Sequence, residues 1–155
     1  GMFALKLRKS KKKFQGLPKL NIESGEFRFP HERRGLKPRV ETARMSQLRE
    51  PLDHRLIVST ANTKVFKLAM TQADYRWVAH LHFFENQLSK IVLNVVANLK
   101  PEDWVNTDDN DSALDLHQEI LCDYWDAARK NFDWGKVSIE IDPKTKATKL
   151  VITCK

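Results

Sequence analysis

The segment from Ser112 to Cys154 constrains the fold most, because a helical pattern is followed directly by two strand patterns. Between residues 112 and 131, apolar side chains recur at steps of three and four, which predicts one main amphipathic helix. Ser112 followed by Asp115 is typical of a helix N-terminus. The predicted core face of this helix consists of Leu114, His117, Leu121, Tyr124, Trp125 and Ala128.

Two alternating stretches follow a Trp-Gly turn at residues 134–135, and they flank an Asp-Pro turn at residues 142–145. Alternation of apolar and polar side chains around a turn predicts a C-terminal β-hairpin. Further upstream, two apolar runs within residues 56–70 predict another pair of strands.

Residues 75–99 fit two interpretations. At helical periodicity, a continuous apolar stripe from Trp77 to Leu99 predicts a long helix. At a period of two, the same residues predict two strands joined at residues 85–87. Periodicity alone slightly favours the helix, whereas the β-branched residues within 91–96 and the neighbouring aromatic pair favour the hairpin, which is the prediction we adopt.

These patterns predict a single α+β domain over residues 1–155, with an antiparallel sheet of about five to seven strands and the 112–131 helix packed on one face. Residues 1–39 are expected to be a basic, loop-rich N-terminal segment, since glycines and prolines interrupt it. Within that segment, residues 2–7 predict a short strand and residues 31–39 predict an exposed basic loop.

Composition predicts a soluble, cytoplasmic protein. Hydrophobic residues make up 41% of the chain and charged residues 30%, as in ordinary globular proteins. No apolar run approaches the roughly 20 residues of a membrane span, so no membrane partner is expected. Cys122 and Cys154 lie in different predicted elements, which favours two reduced thiols.

The net charge of +7 is unevenly distributed along the chain. Residues 1–50 contain 14 Lys or Arg and 5 Asp or Glu, whereas residues 51–155 contain 13 and 15. Such asymmetry indicates either an arm for an anionic partner or an extension that folds back onto the acidic part of its own domain. Candidate partner-binding residues are the cations Arg33, Arg34, Lys37 and Arg39 and the carboxylates Asp115, Glu119, Asp123 and Asp126 along the predicted helix.

Nucleic-acid binding through the basic N-terminal segment is the alternative function. Phe14, Phe27 and Phe29 are interleaved with its cations, and aromatic rings of this kind can stack on bases. A metal site is the third hypothesis, since His80 and His82 would share one face of a strand.

That metal site needs a third ligand, and Glu85, His54 and His31 are all candidates that spacing does not separate. The competing interpretation is two half-exposed histidines on the outer face of a sheet. No phosphate-binding loop, nucleophile elbow or paired-cysteine motif is present, so the sequence predicts neither an enzyme nor a cofactor.

The order of features in the C-terminal half carries a family resemblance. In chain order, these features are Trp104, the predicted helix, Trp134-Gly135-x-Val137, Asp142-Pro143-Lys144-Thr145 and Ile152-x-Cys154. This arrangement resembles small bacterial α+β domains of unknown function, some of which are thought to act like toxin-immunity proteins. Over residues 77–155, the resemblance implies a non-enzymatic bacterial protein that binds another protein, and it implies no active site. Neither the partner nor the oligomeric state follows from it.

Overall fold

Alternating apolar side chains build seven antiparallel strands of the described chain into one sheet. The computed structural model describes residues 12–48, 54–72, 74–98 and 110–155. A two-stranded ribbon of β1 (Lys19–Leu20) and β2 (Phe27–Arg28) precedes the sheet. The sheet strands in chain order are β3 (His54–Ser59), β4 (Thr63–Thr71), β5 (Tyr75–Phe84), β6 (Gln87–Ala97), β7 (Asn131–Phe132), β8 (Gly135–Ile141) and β9 (Thr148–Cys154). Across the sheet the strands pair in the order β3-β4-β5-β6-β9-β8-β7, and this architecture confirms the predicted α+β fold.

Both predicted hairpins are present. Strands β8 and β9 form the C-terminal hairpin, and β5 and β6 form a long hairpin over residues 75–97. Glu85 and Asn86 make the turn of the long hairpin with φ of 49° and 66°, a conformation typical of two-residue hairpin turns. The long-helix interpretation of residues 75–99 is therefore wrong. The predicted strand at residues 2–7 lies outside the described residues.

The main helix is confirmed, but its bounds differ from the predicted 112–131. Helix α1 spans Asn110–Glu119 and continues as a π-helical turn at Ile120–Tyr124. Asp126 then adopts a left-handed conformation with φ of 56°, and the Ala127 N–H reaches back to the Leu121 carbonyl at 2.9 Å. Aspartate tolerates this conformation, so the helix ends without the glycine that would have marked its end in the sequence.

Two predictions, one about each end of this helix, are therefore wrong. Ala128 is exposed and lies beyond the helix, whereas the other predicted core positions from Leu114 to Trp125 are buried or half-buried. Ser112 lies inside the first turn, because α1 begins two residues before it. Among the described residues, no helix is long and apolar enough to cross a membrane.

The described part of the basic N-terminal segment contributes its aromatic residues to the core. Phe27 and Phe29 are fully buried, and Phe29 stacks on Trp77 of β5 with ring centroids 5.7 Å apart. Leu36 is also fully buried, and its backbone N–H and carbonyl both bond to Phe27. The predicted exposed loop at residues 31–39 is therefore exposed at its cations but anchored to the core at Leu36.

Two aromatic side chains at the end of the helix hold this segment in place. The Tyr124 hydroxyl donates to the Leu17 carbonyl at 3.2 Å, and the Trp125 indole N–H donates to the Pro18 carbonyl at 3.0 Å. Both donors are buried, so these bonds satisfy carbonyls that would otherwise be desolvated without a partner.

The sheet therefore has two unlike faces. The inner face carries Trp77, Leu81 and Leu93, and it is covered by α1 and by residues 14–48. The opposite face, called the outer face below, consists of the alternate side chains of the same strands. No described helix packs on the outer face, since α1 meets β6 and β9 through inner-face positions.

Replacing Trp125 by Phe removes the indole donor and leaves the buried Pro18 carbonyl unpaired. We expect the free energy of unfolding to fall by about 2–4 kcal/mol, measured by urea denaturation at neutral pH. The matched control is Trp134→Phe, because the half-buried Trp134 indole donates to the Ile22 carbonyl at 2.8 Å. Water can replace that donor, so the control should lose about 1 kcal/mol or less. Equal losses in the two variants would contradict this account of the helix end.

Candidate functional site

The outer face brings side chains from six strands into continuous rows. The pairing register aligns one row across β3, β4, β5, β6, β9 and β8 as Arg55, Lys67, His80, Val92, Val151 and Ser138. A neighbouring row consists of Val58, Val65, His82, Lys90, Thr153 and Lys136. Because strand residues alternate between faces, these positions lie together although they are far apart in the sequence.

The outer face is strongly cationic. Its described basic residues are Arg55, Lys67, Arg76, Lys90, Lys136 and Lys149, and its described acidic residue is Glu140. Arg55, Arg76 and Lys149 are exposed, whereas Lys67 and Lys90 are half-buried. A flat surface with one sign of charge raises the local concentration of oppositely charged partners.

The centre of this face is aliphatic. Val65 and Val151 are 6% and 2% exposed, yet neither belongs to the main core cluster on the inner face. Val92 pairs with Val151 and is half-buried, Val78 is half-buried on β5, and Val65 lies two strands away from Val92, opposite His82. The half-buried valines supply accessible apolar area beside the cations, a combination found in protein–protein interfaces.

His80 and His82 lie on this face, as the two-residue spacing predicted, but lysines surround them. Burial lowers the pKa of His80, and the neighbouring Lys67 and Lys149 lower it further. Burial also lowers the pKa of His82, with smaller contributions from Lys90 and His80. Both imidazoles are therefore neutral at physiological pH.

Nothing in the described ranges completes a metal site at these histidines. No group of three His, Cys, Asp or Glu side chains able to hold a metal ion occurs there. His54, one of the proposed third ligands, pairs with Leu68 and contacts the Phe66 ring at 5.9 Å, so it lies on the inner side of the sheet. The lysines beside His80 and His82 would moreover repel a cation.

The four cationic candidates from the sequence lie elsewhere. Arg33, Arg34, Lys37 and Arg39 are exposed in the loop that follows β2. The Arg34 carbonyl accepts from the Arg44 guanidinium at 3.1 Å, and the Arg39 backbone N–H donates to the Leu88 carbonyl at 3.1 Å. These contacts order the loop without joining its cations to the outer face.

Within the described ranges, one of the acidic candidates pairs with a cation of the chain's own basic segment. Lys13 pairs with Glu119 at 3.5 Å, and both side chains are partly exposed. Asp115 is exposed, Asp123 is half-buried, and Asp126 lies beyond the helix. The basic segment therefore folds back onto the acidic helix at the Lys13–Glu119 pair. At this exposure, a single ion pair contributes little to the free energy of folding.

The aromatic residues proposed to stack on bases are not accessible. Phe14, Phe27 and Phe29 are each 1% exposed or less. Phe14 contacts the rings of Tyr75 and Tyr124 with centroids 5.5 and 5.8 Å away. Stacking these rings on nucleic acid would require the core to open.

Two cavities of about 500 and 490 Å³ flank the β1–β2 ribbon and share Lys19 and Arg28 in their walls. The first also contains Glu23, Glu26 and Asp126, so its charges are mixed. Mixed charge at a shallow surface favours no particular class of ligand.

Neither cysteine has the surroundings of a nucleophile. Cys122 is exposed and Cys154 is half-buried, and both thiols are free. Burial raises the pKa of Cys154, which keeps the thiol protonated.

His117 is a structural residue rather than a catalytic base. It is fully buried where β6 and β9 diverge, and its Nε2 accepts from the Val95 backbone N–H at 3.0 Å. The neutral ring therefore carries its proton on Nδ1, which lies 2.6 Å from the Thr148 hydroxyl. Burial lowers the pKa of His117 to about 4, and a hydrogen bond to the Ala113 backbone only partly opposes that effect.

The outer-face cations were missed at the sequence level, although the signal was present. Lys67 alternates with Phe66 and Leu68, and Lys90 stands beside Ile91. Each lysine is a polar position in a strand pattern, and such positions are normally taken as solvated surface. Only the strand order places both on one face of the sheet, with the single strand β5 between them.

Comparison of the chain with family models, with curated proteins and with solved structures found no match. The resemblance of the C-terminal half to immunity-like domains therefore stays a prediction.

The buried His117 should make stability depend on pH between about 4 and 6.5. In this window the unfolded chain binds a proton that the folded protein excludes, so the free energy of unfolding rises with pH. Lowering the pH from 6.5 to 4 should cost about 3 kcal/mol through this residue. Above about pH 7.5 the ring is neutral in both states and contributes no slope.

The measurement is urea denaturation at a series of pH values, with His117→Gln compared against His31→Gln at an exposed histidine. The His117 variant should be less stable at neutral pH but should lose this part of the slope. The His31 variant should retain the slope. Parallel pH profiles for wild type and His117→Gln would contradict the assignment.

Proposed function

We propose that the protein is a non-enzymatic, cytoplasmic protein-interaction domain that binds an acidic protein through the outer face of its sheet. The observation that carries this proposal is the distribution of charge on that face: six cations and one carboxylate surround an aliphatic centre. Charge of one sign steers an opposite partner, and the half-buried Val78 and Val92 supply accessible apolar area once the partner has docked.

A protein partner suits this face better than nucleic acid does. Single-stranded nucleic acids are usually held on sheets by stacked aromatic rings. The described outer-face rings are His80, His82 and Phe84, and Phe84 lies at the rim beside the β5–β6 turn. The aliphatic Val65 and Val151 at the centre offer no stacking surface.

The N-terminal segment supports the same choice. Phe14, Phe27 and Phe29 belong to the core, so they are not available as the rings that the nucleic-acid hypothesis required. The remaining charge attracts any polyanion and carries no preference for a phosphate backbone over a carboxylate surface.

An immunity-like role is one form of this function. A protein that neutralises another by binding it needs charge complementarity and a firm scaffold, but no reactive group. The outer face supplies the first, and the hydrogen-bonded seven-stranded sheet supplies the second.

The test is a triple charge reversal, Lys67→Glu/Lys90→Glu/Lys149→Glu, against a matched control, Lys130→Glu/Lys144→Glu/Lys155→Glu. The control lysines are exposed and lie outside the outer-face rows, and both variants change the net charge equally. Binding of polyglutamate at low ionic strength should weaken at least about tenfold more in the outer-face variant than in the control. Thermal denaturation of both variants checks that they remain folded.

Double-stranded DNA serves as the competing probe. Binding of polyglutamate that is lost equally in both variants would contradict a specific role for the outer face. Binding of DNA in preference to polyglutamate, with the same dependence on Lys67, Lys90 and Lys149, would support nucleic-acid binding instead. Raising the salt concentration should weaken binding in either case, because the screening length is only about 8 Å at physiological ionic strength.

A further inference from the structure

Strand β3 forms an open edge of the sheet. In the described strand order, β3 lies at one end and the two-residue β7 lies at the other. All residues of β3 from Arg55 to Ser59 are exposed. An edge strand of this kind presents backbone N–H and carbonyl groups on which another strand can pair.

The edge is also apolar, which is unusual for a strand left open to solvent. Leu56, Ile57 and Val58 are 47%, 47% and 41% exposed. The pairing register shifts between Leu56 and Val58. This bulge is the feature of the described strand that would hinder its pairing with another chain. Natural edges are more often guarded by several charges or by a proline.

The two sides of β3 differ in chemistry. Leu56 aligns with Phe66, which is half-buried and packs against the Phe83 ring on the inner side. Arg55 aligns with Lys67 on the outer face. Val58 also aligns with Val65 on the outer face, so a strand added beside β3 would meet Leu56 and Phe66 on one side and Arg55, Lys67 and Val58 on the other.

A second copy of this chain is a poor occupant of that edge. The chain carries a net charge of +7, and β3 contains Arg55 and no acidic residue. Antiparallel pairing of two β3 strands would bring both cationic outer faces onto one continuous sheet surface, where they would repel each other. A strand with acidic side chains would gain energy from the same arrangement.

We propose that the acidic partner docks by adding a β-strand to β3, with apolar side chains toward Leu56 and Phe66 and acidic side chains toward Arg55 and Lys67. This inference rests on the proposed function and names the edge and the chain conformation through which the partner binds. In strand addition, backbone hydrogen bonds supply affinity and alternate side chains supply specificity.

The test uses three synthetic peptides long enough to span β3. The first alternates glutamate with valine. The second has the same sequence but is N-methylated at alternate residues, which removes hydrogen-bond donors and keeps the charge. The third alternates lysine with valine. We expect saturable binding of the first peptide, at least about tenfold weaker binding of the second, and no binding of the third.

Hydrogen exchange of the full-length protein provides the second readout. Binding of the glutamate–valine peptide should protect the backbone amides of β3, because they acquire new partners. Leu56→Asn should weaken this binding, whereas Ile141→Asn should not. Ile141 is the matched control, since it is 51% exposed on β8 and the change in polarity is similar.

The outcomes separate this inference from the proposed function. Equal binding of the first two peptides, with unprotected β3 amides but with dependence on Lys67, Lys90 and Lys149, would overturn strand addition and leave the outer-face proposal standing. Absence of binding by the glutamate–valine peptide up to about 1 mM, with polyglutamate still bound, would also overturn strand addition. Absence of binding by both acidic probes would overturn the proposed function as well.

Discussion

The N-terminal segment packs beneath the end of the helix, and this packing determines which face of the sheet remains exposed. Tyr124 and Trp125 donate hydrogen bonds to carbonyls more than a hundred residues earlier in the chain. Phe27 and Phe29 join Trp125 and Trp77 in one aromatic cluster between the segment and the sheet. Because a buried carbonyl without a donor is costly, the N-terminal segment and the end of the helix are held together by hydrogen bonding as well as by apolar burial. The inner face of the sheet is thereby closed.

Because the inner face is closed, the uneven distribution of charge along the sequence has a different interpretation. Residues 12–48 of the basic first third pack onto the domain, with Lys13 paired to Glu119 and with Phe14, Phe27 and Phe29 in the core. The proposed binding surface lies on the opposite side of the sheet, where Lys67, Lys90 and Lys149 come from three different strands. The surface that distinguishes this protein is therefore created by strand order rather than by any local cluster in the sequence.

Much of the fold could be predicted because its signals are local. Alternation identified the hairpins, and helical spacing identified His117, Leu121 and Trp125 as core positions. The end of the helix could not be placed, since Asp126 adopts a conformation that usually marks glycine. The candidate site was harder to predict from the sequence than the fold was. A lysine in a strand looks like any solvated position until its cross-strand neighbours are known, and the open edge at β3 depends entirely on which strand lies last.

An NMR titration of the full-length protein with polyglutamate tests the central claim most directly. If the outer face is the binding surface, the backbone amides that shift should cluster at its cations in β4, β5, β6 and β9, and the shifts should diminish as salt is added. Shifts confined to the Arg33–Arg39 loop, or shifts absent from those four strands, would contradict the claim.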